Sequence, residues 1–123
     1  MKYRVFSKAL GVYLNQSMVQ MNGLGQVSMD GVMLRADLVE VEPCTGVMDF
    51  YEVDIYVNDI LVNDQTCEII GTVKYFSDEG EYCAQKDKGS QTPVYHPNPY
   101  AVMGNVHEPD SVIENRIREF MSE

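Results

Sequence analysis

The run Thr45-Gly46-Val47-Met48-Asp49, followed shortly by Ile55-Tyr56-Val57-Asn58-Asp59-Ile60-Leu61, decides the fold. Its second half is rich in β-branched and aromatic residues, which fit a pleated, half-buried surface. Residues 49–54 read as a polar turn. Val53, Ile55 and Val57 then lie on one face of a strand, with Asp54 and Tyr56 on the other. Asn58 breaks this strand and a new one starts at Asp59, carrying Ile60 inside it.

Two further segments belong with this stretch: Met1-Lys2-Tyr3-Arg4-Val5-Phe6 at the start, and Tyr100-Ala101-Val102-Met103-Gly104-Asn105-Val106-His107-Glu108 near the end. Together the three resemble the signature of the YopX family, small proteins of phages and prophages. There the pattern is Thr-Gly-aliphatic-x-Asp, a short turn, then Ile-Tyr-Glu-Gly-Asp-Ile-Val, with a closing Glu-Val-Ile-Gly-Asn-Ile run. The positions that carry the resemblance are Thr45, Gly46, Asp49, Ile55, Tyr56, Asn58, Asp59, Ile60, Gly104 and Asn105. It implies a mainly β fold, with a small barrel-like (Src-homology-3-like) portion downstream of the Thr-Gly motif and one C-terminal α-helix. Asn58 stands where the family has glycine. Asparagine is the non-glycine residue that best tolerates a positive φ, so this position is expected to be left-handed. Val57 replaces the family's glutamate, which removes any charge role there. The segment from Asn15 to Asp37 lies outside the resemblance.

The rest of the chain fits one β-rich domain in three regions: a hairpin region over 1–42, the motif-bearing region over 43–107, and a helix over 108–123. Strands are predicted for Met1 to Phe6, Val12 to Gln16 and Asp37 to Glu42, the last ended by Pro43, which cannot donate to a ladder. Asp30-Gly31 is a hairpin signal. Ser17 to Gln26 reads as a loop or an irregular strand. Strands follow over Cys67 to Phe76, with Gly71 at a bulge, and over Glu81 to Gln85, joined by the turn Asp78-Glu79-Gly80. Lys86 to Asn98 reads as a surface loop. In the tail, Pro109 suits the first turn and Ser111 with Glu114 fits a capping box. Ile113, Ile117, Phe120 and Met121 form one apolar stripe. Such a stripe needs a cover, and a neighbouring subunit is the expected one.

Composition narrows the function classes. The net charge is −10, from 19 acidic and 9 basic residues, and this disfavours nucleic-acid binding, which needs a basic patch. No apolar run approaches the roughly 18 residues of a membrane span. Cys44, Cys67 and Cys83 lack metal-ligand spacing, so free thiols in a bacterial host's cytoplasm are expected. His96 and His107 stand in no ligand or catalytic pattern. Asp49, Glu52, Asp54, Asp59 and Asp64 lack the calcium-loop spacing, and Asp59 is expected to accept local backbone hydrogen bonds. Neither a phosphate loop nor a nucleophile elbow is present. No catalytic, cofactor-binding or metal residue is therefore assigned, and no cofactor is implied.

The 8 tyrosines and 8 methionines instead suit contact with protein. The expected function is a non-enzymatic interaction module of phage or prophage type. It would self-associate or bind a host or phage protein, with Ile113, Ile117, Phe120 and Met121 as the interface. Three other readings stand beside it: an acidic decoy that mimics DNA charge and occupies a host DNA-binding protein, a nucleic-acid-binding small barrel, and a hydrolase or nuclease using Asp54, Asp59 and a metal.

Overall fold

A computed structural model describes residues 2–87, 89–95 and 97–122. The chain forms two compact units, Met1–Pro43 and Cys44–Glu123.

The first unit holds β1 (Tyr3–Ser7), β2 (Val12–Tyr13), β3 (Val19–Met21), β4 (Val27–Met29), β5 (Val32–Met33) and the start of β6 (Val39–Met48). β1 pairs antiparallel with β2 and with β6, while β3, β4 and β5 form a separate three-stranded meander. The Asp30-Gly31 turn joins β4 to β5 with positive φ at both residues, as its composition demands. Val19 to Met21 is a true strand, and the expected strand over Val12 to Gln16 shrinks to its first two residues. Val5, Val19 and Val27 are the buried core of this unit. Glu42 is fully buried as well. Its carboxylate accepts hydrogen bonds of 2.7 Å from Arg4 Nε and 2.7 Å from the Tyr13 hydroxyl, and the guanidinium lies 4.6 Å from the Tyr13 ring centre. Burial at this depth requires such pairing.

Pro43 does not end the sixth strand, as the sequence reading expects. It occupies the last pair with β1, opposite Tyr3, and β6 then takes its partner from β7. Where a ladder changes partner, a missing N–H costs little.

The second unit holds the rest of β6, then β7 (Asp54–Tyr56), β8 (Asp59–Asn63), β9 (Ile69–Phe76), β10 (Glu81–Gln85), β11 (Gln91–Pro93), β12 (Tyr100–Asn105) and α1 (Asp110–Met121). Five strands form one sheet in the order β11-β10-β9-β8-β12, curled as a half-barrel. The fold is mainly β with a single C-terminal α-helix, as predicted. The core is Ile55, Leu61, Val73, Ala84 and Tyr100. β9 carries a bulge opposite Leu61 and Val62, next to Gly71. The expected loop over Lys86 to Asn98 contains β11, an edge strand paired with β10. Its sequence Gln-Thr-Pro is polar and ends in proline, which an edge tolerates and periodicity does not reveal.

α1 begins at Asp110, with Pro109 as the capping residue and no side-chain cap bond. The Ser111–Glu114 capping box is therefore absent, because Ser111 already lies inside the helix. Val112 N–H and Ile113 N–H donate to Pro109 O instead. The expectation of a subunit cover for the whole stripe also needs correction. Ile113 is buried in its own unit, Ile117 and Phe120 are half-buried, and only Met121 is well exposed. Gly104 makes the docking possible. A Cβ there would overlap Ile113 Cδ1 and lie 2.8 Å from Glu108 Oε1, on a backbone with φ of 152°. Gly104→Ala is accordingly expected to lower stability by about 3 kcal/mol, through overpacking and backbone strain. Urea melts check this, and unaltered stability would mean that the helix can re-seat.

Candidate functional site

Thr45 and Gly46 form a bulge. Cys44 pairs with Tyr56 and Met48 with Asp54, so Thr45 to Val47 face the single residue Ile55. Gly46 takes a φ of 82°, which glycine adopts without penalty. The Thr45 hydroxyl donates to Ile55 O at 2.9 Å and accepts from Val47 N–H at 3.1 Å.

The bulge is followed by Asp49, which is buried. Its Oδ1 accepts from Tyr51 N–H at 2.8 Å and Val53 N–H at 2.9 Å, and its Oδ2 accepts from Val102 N–H at 3.0 Å. Phe50 N–H donates to Tyr100 O at 2.8 Å. Asn98 adds to this from the other side. Its amide donates to Met48 O at 3.0 Å and to Tyr95 O at 2.5 Å, and its carbonyl accepts from Tyr100 N–H at 3.1 Å.

With its backbone committed inward, the turn presents its side chains outward. Phe50 is 57% exposed, Tyr51 52% and Val53 49%. Val53 thus does not share with Ile55 the strand face that alternation predicts, because it belongs to the turn and not to β7. Phe50 and Tyr51 meet edge to face at 5.3 Å, and Tyr51 meets Phe120 of α1 at 6.0 Å. The Tyr51 hydroxyl donates to Asp64 Oδ1. Beside Phe120 lies an open groove of about 430 Å³, lined by Val102, Met103, Gly104, Arg116, Glu119 and Phe120.

The other motif residues hold the scaffold. Ile55 is core and Ile60 is half-buried. Asn58 has φ of 76°, the left-handed backbone expected of it. It is buried, donates its N–H to Val73 O and accepts Val106 N–H, while its side-chain carbonyl accepts from Lys74 Nζ at 2.6 Å. Asp59 is also buried and accepts Tyr56 N–H at 2.8 Å. Asn105 accepts His107 N–H at 3.0 Å and donates to Glu108 Oε1 at 3.2 Å. Glu108 then pairs with Arg116 at 2.6 Å, and this contact raises the arginine's pKa above its ordinary value. Of the positions that carry the family resemblance, Asp49, Asp59, Ile60, Gly104 and Asn105 lie in or bond to β12, whereas Thr45, Gly46 and Tyr56 belong to the β6–β7 pairing. Apart from Gly104, which lines the groove, they support the aromatic surface and do not line it. Phe50 and Asn98 escaped the sequence reading. An adjacent aromatic pair inside a turn between two strands was the available signal.

Asp54 and Asp59 belong to neither group of described residues whose ligand atoms lie within 4.8 Å of one another, so the metal-hydrolase reading gains nothing here. Glu79, Glu81 and Cys83 do form such a group on the β9–β10 hairpin. His96 lies outside the described residues. Cys44, Cys67 and Cys83 are free thiols. Burial first, then the carboxylates of Glu81 and Glu79, pushes the Cys83 thiol above its ordinary pKa. No helix among the described residues is long and apolar enough to cross a membrane.

The family model described as YopX protein matches residues 2–114. No curated protein matches the chain.

Two predictions come from these environments. Asn58→Gly should stay within about 1 kcal/mol of the parent, because relief at positive φ offsets the lost lysine contact, whereas Asn58→Val should cost about 3 kcal/mol. Thermal melts of both variants check this, and equal losses would argue against a left-handed requirement. For Cys83, the folded protein holds a proton that the unfolded chain releases. Its contribution is present below the unfolded thiol pKa of about 8.5 and declines as pH rises above it. Urea midpoints should fall more steeply between about pH 8 and about pH 10 in the parent than in Cys83→Ala. Parallel pH slopes would contradict the assignment.

Proposed function

The chain belongs to the YopX family, and we propose that it works as a non-enzymatic protein-interaction module of phage or prophage type, acting in the cytoplasm of a bacterial host. The supporting observation is the ring chain Phe50–Tyr51–Phe120, in which the exposed Phe50 and Tyr51 stand on a turn whose backbone is pinned by a buried carboxylate and Tyr51 meets the half-buried Phe120 of α1. Large aromatic side chains held in place before binding supply contact area at little entropic cost. Interfaces are enriched in such residues. Met121, 63% exposed, lies in the same final helical turn as Phe120. Self-association through the helix stripe would have Ile117, Phe120 and Met121 available, since Ile113 is core.

Charge supports the same reading. With 9 basic against 19 acidic residues, a nucleic-acid site has little to build on.

The full chain carrying Phe50→Ser with Phe120→Ser tests the proposal. Affinity capture from a bacterial host and light scattering should both show association reduced at least about tenfold relative to the parent. The control Leu24→Ser, which alters an exposed leucine in the first unit, should behave as the parent does. A DNA-binding enzyme captured equally by parent and double variant would favour the acidic-decoy reading instead.

A further inference from the structure

We propose that the Phe50–Tyr51–Phe120 surface takes a basic, apolar segment of a partner protein in preference to a second copy of this chain. The inference rests on the interaction reading above and specifies the partner's chemistry. The rings are framed by carboxylates. Glu52 adjoins Tyr51 in the turn and is exposed, Asp64 accepts the Tyr51 hydroxyl, and Glu119 adjoins Phe120 on the groove wall. Of the cations nearby, Arg116 is paired with both oxygens of Glu108 and also donates to Met103 O. Arg118 keeps its charge but donates to Asn115 and does not line the groove.

An apolar centre with an acidic rim has two requirements of its partner. Apolar side chains must cover the rings and enter the groove, whose walls include Val102, Met103 and Phe120. Lysine or arginine must meet the rim, where they gain both carboxylate and ring-face contacts. A second copy meets the first requirement and fails the second. It brings its own acidic rim and its own net charge of −10, and like charges brought together at an interface oppose association.

Fluorescence anisotropy on the full chain tests this with three labelled amphipathic peptides of equal length: leucine with lysine, leucine with glutamate, and serine with lysine. The leucine–lysine peptide should bind at least about tenfold more tightly than either control. Its affinity should fall with added salt, as expected for screened rim charges. Phe50→Ser, which leaves the charge unchanged, should weaken it about tenfold, and Glu52→Gln with Glu119→Gln several-fold. Phe50 is more than half exposed, so Phe50→Ser alone remains informative if a helix variant fails to fold. Equal binding of the serine–lysine peptide would reduce the effect to general attraction by a polyanion and overturn the inference. Patch-dependent self-association without peptide binding would overturn it while sparing the interaction module. Peptide binding and self-association both unchanged in Phe50→Ser would overturn both.

Discussion

The carboxylate of Asp49 carries the second unit's geometry. A buried anion is costly unless its oxygens are filled, and here three backbone N–H groups fill them. Two come from its own turn and one from β12, so a single side chain closes the turn and ties it to the sheet. Charge-assisted bonds of this kind are stronger than neutral ones. The Thr45–Gly46 bulge is the local device that precedes it, adding the extra residues in β6 ahead of Asp49. The same arrangement covers the outer edge of β12. Phe50 N–H and the Asp49 carboxylate occupy groups that would otherwise be open to another strand.

β12 is held at its far end as well. Asn105, Glu108 and Arg116 link the strand's end to α1, and Gly104 lets Ile113 seat against it. The proposed binding surface draws Tyr51 from the turn and Phe120 from the helix, so its shape depends on both attachments. The Glu108 contact raises the pKa of an arginine that is protonated across working pH.

The first unit is organised differently. Its buried apolar core is three valines, and a fully buried Glu42 sits with Arg4 and Tyr13. Leu24, Val32 and Met33 remain exposed. A unit with so few buried side chains gains less from burial per residue than the half-barrel. Its sheets depend more on turn chemistry, such as Asp30-Gly31 and the Asn22 side chain, which accepts the N–H groups of Leu24 and Gln26.

Much was legible in the chain itself. Alternation and β-branched runs marked most strands, Asp-Gly marked a hairpin, and asparagine in a glycine position marked the left-handed backbone at residue 58. These are local constraints, set by steric limits on φ and by the period of two along a strand. The three segments of family resemblance indicated a mainly β fold with a terminal helix. Tertiary structure decided the rest. Pro43 could stay within a strand because the ladder changes partner there. Gln91 to Pro93 became a strand because β10 offered it an edge. Ile113 went inward because Gly104, nine positions earlier, leaves room for it. Asp49 was legible as a polar turn residue, but its third hydrogen bond crosses to Val102. Such contacts join residues far apart in sequence, and neither propensity nor periodicity within a short window can encode them.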